Sequence, residues 1–406
     1  MGMFRTVRSV ARFSPMSLSR RQRRLTRAAN IADLRQMAQT RLPRGIFDYI
    51  DGGAEDEITM RRNSAAFQHY SFVPNVLRDV SNIDTTTTLL GRTLSSPIIF
   101  SPTGFTRIAH SQGELAVARV AARHGLPYCL STLSTRSIEE VAQVSDGPKW
   151  FQVYVWRDRE LVKDMLSRAQ KNGYDTIMLT VDTAVLGRRE RDVRRGFTLP
   201  PTLGLGTLMD GVRHPSWTWD FVRHEPITFA NISGAAGRSA GTAVTLSDFI
   251  SDQFDPALSW TEIDWFRENW NGHIILKGVQ SVADAVTAHR AGIDAIALSN
   301  HGGRQLDGSP APLDLVAPVA QATRGELPII CDGGVRRGSD IVKAIALGAT
   351  ACTMGRSYLY GLGAAGEDGV EKALTLLTSE LRRTMQLTGV RSIAEITQSL
   401  VERNHH

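Results

Sequence analysis

The sequence predicts an α/β protein built as a (β/α)₈ barrel. Eight short apolar segments recur along residues 97–356, and helix-like stretches alternate with them. Near-continuous apolar runs are typical of strands that are buried on both faces of a parallel sheet. Eight alternations favour a closed barrel over an open doubly wound sheet, which is the alternative. The predicted strands are residues 97–105, 127–134, 150–155, 176–182, 273–279, 295–301, 328–334 and 349–356.

The predicted helices complete a single domain over residues 31–395, followed by a C-terminal tail at 396–406. Residues 32–60 predict further helices before the barrel, with a break at Gly52-Gly53. The helices between and after the strands are residues 112–124, 137–144, 159–172, 261–270, 281–290, 313–322, 339–347 and 370–387. A glycine stands just past four of them, where a residue with positive φ is favoured. These glycines are Gly125, Gly173, Gly292 and Gly348.

One gap, between the fourth and fifth strands, breaks the regular spacing. It predicts an insertion at roughly residues 183–260, on the side of the barrel where the βα loops lie. The insertion contains Trp217, Trp219 and Trp260, and its stretch of small residues at 233–243 is expected to be mobile. Exposed aromatic residues suit docking at a membrane interface; a lid or an oligomer contact is an equal alternative.

The composition of the 406 residues excludes several classes of protein. With 42% apolar residues the chain can bury a large core, which excludes a disordered protein. No run of about 18 apolar residues occurs, which excludes a membrane-spanning helix. Three cysteines are too few for a disulfide framework and indicate a reducing compartment. No metal site is expected.

The positive charge of the chain lies in an N-terminal arm, residues 1–30. The formal net charge is +6, but the arm holds eight arginines and no acid, so the remaining 39 basic and 41 acidic residues nearly balance. A solvated disordered arm, a transit peptide and a contact with anionic lipid are the alternatives. The two phenylalanines of the arm are not interleaved with its arginine cluster at 20–27, so no nucleic-acid partner is expected. No apolar segment follows the arginines, which excludes a secretory signal.

Polar residues recur where the predicted strands end, which is the edge that carries the chemistry of such barrels. Lys277 stands alone in an apolar strand, and burying a cation is costly unless an anion accompanies it. His301 follows the sixth strand, three residues before Arg304. Asp182 ends the fourth strand, and a carboxylate near a histidine base raises the pKa of that base. These residues predict a catalytic site, to which strands two to four add Ser131, Gln152, Tyr154 and Thr180.

The ends of the last two strands form a second pattern, that of an anion site. Residues 332–339 (DGGVRRGS) end the seventh strand and open a helix, and Gly355-Arg356 ends the eighth. Glycines let backbone N–H groups approach an anion, and the helix N-terminus and Arg336 and Arg356 add positive charge. Loops after strands seven and eight are the usual phosphate site of these barrels. The pattern predicts a phosphate-bearing cofactor, not a nucleoside triphosphate, because no GxxxxGK[ST] motif is present.

Four segments together resemble the FMN-dependent L-2-hydroxy acid dehydrogenase/oxidase family, whose fold is the TIM barrel. The resemblance covers roughly residues 30–395, and its most specific segment is 299–307 (SNHGGRQLD). The supporting segments are 47–56 (FDYIDGGAED), 179–190 (LTVDTAVLGRRE) and 332–339. Two further segments look most like bacterial respiratory L-lactate dehydrogenases, with mandelate dehydrogenases close behind. They are residues 214–217 (HPSW) and 391–397 (RSIAEIT).

The resemblance implies an enzyme that oxidises an L-2-hydroxy acid to a 2-oxo acid with FMN as its cofactor. His301 would be the base, and Asp182 would orient it and stabilise its protonated form. Arg304 and Arg189 would hold the substrate carboxylate, since a planar guanidinium can bind a carboxylate through two hydrogen bonds. The donors to the substrate carboxylate and hydroxyl would be Tyr49 and Tyr154.

The resemblance also implies which residues bind FMN. Lys277 would lie at the N1/O2 edge of the flavin, where reduced flavin is anionic. Thr103 and Gly104 would lie against flavin N5, and Asp332 would bind the ribityl hydroxyls. The other FMN-binding residues would be Ser131, Gln152 and Thr180 at the isoalloxazine ring and Arg336, Gly355 and Arg356 at the phosphate, together with Ser299 and Gly334.

Two positions bear on the substrate and on the electron acceptor. Leu133 stands where glycolate oxidases carry tryptophan, and its moderate apolar wall suits L-lactate without excluding mandelate. Gly104 stands where oxidases usually carry alanine, which resembles dehydrogenases and the monooxygenase. We therefore expect an L-lactate dehydrogenase that passes electrons to a quinone or another carrier. The alternatives are an L-mandelate dehydrogenase and an oxygen-using lactate oxidase or 2-monooxygenase.

The resemblance further implies a homotetramer, peripheral on the cytoplasmic face of the cell membrane. An anion- or nucleic-acid-binding barrel that has lost catalysis is the alternative outside enzymology. The complete polar set argues against such a loss; it comprises His301, Asp182, Arg304, Arg189, Lys277 and Tyr154.

Overall fold

The computed structural model describes residues 20–195, 205–232 and 252–404. Four helices precede the barrel: Arg20–Arg27 (α1), Ile31–Arg41 (α2), Arg44–Asp51 (α3) and Ile58–Ala65 (α4). The second begins where the Asn30 side chain accepts a hydrogen bond from the Asp33 backbone N–H. The predicted break at Gly52-Gly53 separates α3 from α4.

The end of the N-terminal arm is helical. Leu25 and Ala28 are buried and belong to the same apolar core as the barrel. The prediction of a disordered arm is therefore wrong for residues 20–30, because this segment buries apolar side chains. Residues 1–19 lie outside the described part of the chain.

Eight parallel strands close into a barrel, which confirms the predicted (β/α)₈ fold. Closure is complete because the first barrel strand pairs with both the second and the last. Three short strands precede the barrel: Tyr70–Phe72 (β1), Thr87–Leu89 (β2) and Arg92–Leu94 (β3). The barrel strands are Ile98–Phe100 (β4), Tyr128–Ser131 (β5), Lys149–Tyr154 (β6), Thr176–Thr180 (β7), His273–Val279 (β8), Ala295–Ser299 (β9), Ile329–Asp332 (β10) and Ala351–Met354 (β11).

The barrel strands are buried on both faces, as their apolar sequences predict. Only the first residues of two strands, Lys149 and His273, are partly exposed. Parallel pairing brings the carboxyl ends of all eight strands to one rim. This rim positions the residues of the predicted site.

Helices surround the barrel, and side chains cap the N-termini of several of them. Ser137, Asp158 and Ser281 each accept a hydrogen bond from the backbone N–H three residues on. The four glycines predicted to follow helices all have positive φ. The described helices after β4 are Gly113–Arg123 (α5), Ile138–Gln143 (α6), Arg159–Lys171 (α7), Glu190–Arg195 (α8), Leu205–Arg213 (α9), Pro215–Arg223 (α10), Glu262–Asn269 (α11), Val282–Arg290 (α12), Pro312–Ala322 (α13), Gly338–Ala346 (α14), Arg356–Ala365 (α15) and Glu367–Thr388 (α16).

The predicted insertion contributes helices α8, α9 and α10. Helix α10 is fastened to the barrel through Asp220, whose carboxylate accepts hydrogen bonds from Ser111 at 2.6 Å and from Arg41 at 3.2 Å. Trp217 donates its indole N–H to the Ile108 carbonyl, while Trp219 is 60% exposed. The stretch of small residues at 233–243 lies outside the described residues. No helix in the described part of the chain is long and apolar enough to cross a membrane.

The predicted C-terminal tail is part of the fold. Val401–Arg403 (β12) pairs antiparallel with β1, and Leu400 is buried. The strand closes a small sheet beside the barrel, so the domain extends past the predicted boundary at residue 395.

Candidate active site

A cavity of about 550 Å³ opens at the carboxyl ends of the barrel strands. This is the edge at which the sequence predicts the chemistry, and the volume suits a cofactor together with a small substrate. The predicted residues that line it are Tyr49, Thr103, Gly104, Ser131, Leu133, Gln152, Tyr154, Thr180, Arg189, Lys277, His301, Arg304 and Arg356. The predicted residues that do not line it are Asp182, Ser299, Asp332, Gly334, Arg336 and Gly355.

His301 and Asp182 form the pair predicted for proton transfer. Nδ1 of His301 lies 3.2 and 3.3 Å from the two carboxylate oxygens of Asp182. The Asp182 side chain is 2% exposed, whereas the His301 side chain is 26% exposed and faces the cavity. Burial raises the pKa of Asp182, but His301 and then Lys277 outweigh burial and hold the pKa below its usual value. Asp182 is therefore ionised at neutral pH and can stabilise a protonated imidazole.

Lys277 has the anionic partner that its burial requires. Its Nζ lies 3.1 Å from the Asp332 carboxylate and donates to the Ser299 hydroxyl at 3.1 Å. Burial lowers the pKa of Lys277, but Asp332 and Asp182 outweigh burial and raise it. Conversely, burial raises the pKa of Asp332, but Lys277 and Thr353 bring it down to about 2. Lys277 thus presents a permanent positive charge to the cavity.

Asp332 and Ser299 support Lys277 from behind the cavity wall. Asp332 accepts hydrogen bonds from Ser299 at 2.7 Å and from Thr353. The ribityl contact of Asp332 and the direct FMN contact of Ser299 stay predictions.

A chain of hydrogen bonds joins three polar residues of neighbouring strands. The Ser131 hydroxyl donates to Gln152 Oε1 at 3.1 Å, and Gln152 Nε2 donates to the Thr180 hydroxyl at 3.0 Å. All three side chains are buried and line the cavity. They form a fixed row of donors and acceptors that can recognise the polar edge of a flat ring.

Two arginines at the cavity wall both lie near the ring of Tyr49. The guanidinium carbon of Arg304 lies 5.0 Å from the centre of the Tyr49 ring, and that of Arg189 lies 5.6 Å from it. Burial and then Arg189 lower the pKa of Arg304, so an anion bound between them would be strongly favoured. Arg189 is held at 2.8 Å by Asp192.

Tyr154 is available as a hydrogen-bond donor. Burial and then the charge of Asp182 raise its pKa, so its hydroxyl is protonated at neutral pH. Its ring packs edge-on against Phe254 with centroids 5.3 Å apart. Tyr154 therefore has a fixed orientation within the cavity.

Thr103, Gly104 and Leu133 form one wall. The Thr103 hydroxyl lies 2.5 Å from the Tyr358 hydroxyl, which fixes it. A Cβ added at Gly104 would lie 3.1 Å from Leu133 Cβ. Alanine at position 104 would therefore press on Leu133 and narrow this part of the cavity.

Of the residues predicted to bind the phosphate, only Arg356 lines the cavity. Arg356 lines the cavity and donates to three backbone carbonyls, those of Ile50, Gly52 and Gly302. Arg336 does not line the cavity, and its Nη1 donates to the Val335 carbonyl at 2.8 Å. The phosphate site thus stays a prediction, as do the roles of Gly334, which packs on the Asn63 backbone, and Gly355, which caps α15.

An apolar wall lies on the side of the cavity that the insertion covers, and the sequence patterns do not predict it. Phe105, Phe229 and Phe254 line the cavity, and the rings of Phe105 and Phe229 are 5.5 Å apart. Phe229 and Phe254 lie in the insertion, which has no periodic pattern to mark them. Arg188 and Gln305 were also missed, although each adjoins a predicted arginine in the motifs.

The family model described as FMN-dependent dehydrogenase matches residues 38–403. The chain belongs to the FMN-dependent dehydrogenase family. A putative L-lactate dehydrogenase of Mycobacterium tuberculosis is 43% identical to this family member over 93% of the chain and 89% of the relative. An L-lactate dehydrogenase of Xanthomonas euvesicatoria is 42% identical, over 92% of the chain and 96% of the relative.

Solved structures resemble this FMN-dependent dehydrogenase closely. The crystal structure of the monotopic membrane protein (S)-mandelate dehydrogenase has a TM-score of 0.90 at 39% identity, and covers 93% of this chain and 100% of that chain. A soluble mutant of the membrane-associated (S)-mandelate dehydrogenase from Pseudomonas putida has a TM-score of 0.79 at 38% identity, with the same coverage.

The donor set of this FMN-dependent dehydrogenase fits its cofactor. Ser131, Gln152 and Thr180 would offer donors and acceptors to the polar edge of an isoalloxazine ring, and Lys277 would compensate the charge of a reduced, anionic flavin. FMN, when bound, supplies a two-electron acceptor. The residues of the chain would bind the substrate and accept its proton.

Proposed function

We propose that this FMN-dependent dehydrogenase oxidises an L-2-hydroxy acid to the 2-oxo acid, with L-lactate as the first candidate. The observation that carries the proposal is that His301, paired with Asp182 behind it, faces the same cavity as Arg304 and Arg189. A base beside a pair of carboxylate binders suits a substrate whose hydroxyl is next to its carboxylate. The relatives named L-lactate dehydrogenase support the choice of lactate.

In this reaction His301 accepts the proton that leaves the substrate. Asp182 compensates the positive charge that His301 gains, because it is ionised and 3.2 Å away. Arg304 uses Nη1 for the carbonyls of Tyr49 and Gly52, which leaves its other nitrogens for the substrate carboxylate. Tyr154, the predicted partner of the hydroxyl, fixes the orientation of the substrate.

An L-mandelate dehydrogenase is the second candidate. The wall formed by Phe105, Phe229 and Phe254 favours it, since an aromatic side chain packs well against aromatic rings. The similarity to (S)-mandelate dehydrogenase structures also supports this second candidate. Lactate leaves this wall without a partner, and mandelate would fill it.

The proposed electron acceptor is a quinone or another carrier, with oxygen as the alternative. Gly104 supports a dehydrogenase through its resemblance to that branch of the family. In the structure alanine at 104 would crowd Leu133. The acceptor therefore has to be tested separately from the substrate.

The experiment is anaerobic bleaching of the bound flavin by L-lactate, L-mandelate and glycolate in turn. We expect rapid bleaching by lactate or mandelate, and slow bleaching by glycolate. Reoxidation by oxygen and by a short-chain quinone is then compared. Protein that binds no FMN, or that none of the three acids bleaches, contradicts the proposal; fast reoxidation by oxygen contradicts the dehydrogenase assignment.

We also propose that the enzyme is peripheral on the cytoplasmic face of the membrane. Three exposed side chains of α10, Trp219, Phe221 and Val222, support this, as does the arginine-rich arm. Trp219→Ser/Val222→Ser should weaken binding to vesicles that contain phosphatidylglycerol by about tenfold, and leave flavin bleaching unchanged. Equal vesicle binding by the variant contradicts this role of α10.

The proposed assembly is a homotetramer, and sedimentation of the flavin-loaded protein tests it. Nucleic-acid binding is not expected. Binding of a DNA duplex is compared between the wild type and a variant that lacks residues 1–19. If only the wild type binds DNA and both keep the flavin reaction, that expectation is wrong.

A further inference from the structure

Gln305 connects the two loops that carry the proposed chemistry. Its amide makes three hydrogen bonds, all to the loop after β7. Nε2 donates to the carbonyls of Asp182 and Val185, each at 2.9 Å, and Oε1 accepts from the Gly187 N–H at 2.9 Å. The side chain is buried at 8% exposure, so water competes little for these bonds.

Gln305 lies close in the chain to two residues of the predicted site. It lies in the β9 loop (residues 300–311), next to Arg304 and four residues after His301. Its partners lie in the β7 loop (residues 181–189), which carries Asp182 and Arg189. The Gln305 side chain therefore links the loop that carries His301 and Arg304 to the loop that carries their partners. Those partners are Asp182 for His301 and Arg189 for Arg304.

The two loops also touch directly at this point. A Cβ added at Gly187 would lie 2.4 Å from the Arg304 carbonyl oxygen and 2.7 Å from Gln305 Cα. Only glycine permits this approach, so the spacing of the loops is set by contact as well as by the amide. Backbone hydrogen bonds from Ala54 and Glu55 hold the same two loops from the side of the N-terminal helices.

We propose that Gln305 is a positioning residue that sets the distance between the β7 and β9 loops, and with it the His301–Asp182 and Arg304–Arg189 geometry. Only an amide side chain can serve both carbonyls and the N–H at once. A glutamate would present oxygens to two carbonyls, and a leucine would remove the partner that all three partly buried groups share. This inference rests on the proposed function but concerns a different property of the site.

Gln305→Leu tests the proposal, because it keeps the size of the side chain and removes its hydrogen bonds. We expect kcat/KM with the best hydroxy acid to fall about 10²-fold, since misplacement of reacting groups by about 1 Å has effects of that size. The pH profile of kcat/KM should also change, because Asp182 is no longer held close to His301. The positively charged groups facing the same cavity are Lys277, Arg188, Arg189, Arg304 and Arg356.

Gly187→Ala is the second variant, and it keeps Gln305 intact while pushing the loops apart. It should give the same signature as Gln305→Leu. Gln386→Leu is the matched control, because the Gln386 amide is exposed and reaches only the Val80 carbonyl at 3.5 Å. We expect no change in this control.

Binding of oxalate separates this proposal from the proposed function. Oxalate is a dianion without an α-hydrogen, and its binding is read from the flavin spectrum without turnover. We expect its Kd to rise about tenfold in Gln305→Leu and Gly187→Ala if the arginine spacing is disturbed. If no hydroxy acid bleaches the wild-type flavin, the oxalate result still decides the role of Gln305. A Gln305→Leu protein with wild-type oxalate affinity and pH profile, or with losses explained entirely by lost flavin, overturns the proposal.

Discussion

The cavity has two sides that differ in origin and in chemistry. The barrel side is formed by the strand ends and holds His301, Lys277 and the Ser131–Gln152–Thr180 row. The opposite side, here called the cover, is formed by residues 31–65 and by the described residues of 183–260. The cover supplies Tyr49 and the apolar rings Phe229 and Phe254. The barrel side thus carries the predicted base and the buried cation, and the cover adds Arg189 and an apolar wall.

The difference follows from how each side is held. Hydrogen-bonded register places Thr180 beside Lys277 and Ser299 beside Asp332 on neighbouring strands. A buried charged group needs a partner at a fixed position. Pairing between neighbouring barrel strands provides such positions. The cover is held by side-chain contacts such as Asp220 with Ser111 and by separate backbone hydrogen bonds such as Ala54 with Gly303.

His301→Ala should produce the largest effect on the barrel side. Removal of the base should slow anaerobic flavin reduction by about 10²- to 10⁴-fold, with FMN still bound. His289→Ala, on the outer helix α12, is the control and should behave as wild type. Bleaching by the His301 variant at nearly the wild-type rate would remove it as the base.

Lys277→Met should destabilise the barrel by about 3–5 kcal/mol, because Asp332 is left as a buried unpaired charge. Urea unfolding of the flavin-free protein measures this effect. Lys277→Met/Asp332→Asn should recover part of the loss. Equal stability of the single and double variants would show that the pair contributes little.

Acid should weaken both sides of the cavity in the same pH range. Burial raises the pKa of Asp51 in the cover, but Arg35 and Tyr360 bring it down to about 2; Asp332 in the barrel has a pKa of about 2 as well. Because the folded-state pKa lies below the unfolded value of 3.8, each carboxylate contributes about 2 kcal/mol to the free energy of unfolding above pH 4. This contribution is lost as the pH falls from about 4 to about 2.

Asp51→Asn and Asp332→Asn test the two contributions separately. Each variant should be less stable than wild type at pH 7 and should lose less stability on acidification. If a variant loses as much stability on acidification as the wild type, the replaced carboxylate does not contribute to the pH dependence of the free energy of unfolding.

Phe254→Ala should have the smallest effect and should act on substrate choice. We expect kcat/KM for L-mandelate to fall about tenfold relative to L-lactate, since lost packing of an aromatic ring is worth about 1–3 kcal/mol. Phe221→Ala is the control, because Phe221 belongs to the same insertion and is 44% exposed. An unchanged ratio of the two substrates would remove Phe254 as a determinant of specificity.

The barrel side was predictable from the sequence, as were Tyr49 and Arg189 in the cover, but the apolar rings of the cover were not. Lys277 alone in an apolar strand and His301 in the segment 299–307 are local signals, because a charged residue in a buried strand is conspicuous. Phe229 and Phe254 are ordinary apolar residues in an aperiodic insertion, and nothing near them in the chain indicates a cavity. Leu25 stands within a run of arginines, where nothing in the sequence indicates that it is buried in helix α1.

The sequence by itself determined the barrel, the family and the charged groups at the strand ends, because alternating apolar runs and rare buried charges leave few other folds. The tertiary structure decided which anion accompanies Lys277, which aromatic rings line the cavity, and that Gln305 joins the β7 and β9 loops. These contacts join residues far apart in the chain, such as Asp182 and Gln305. Their distances depend on barrel closure, which no local pattern encodes.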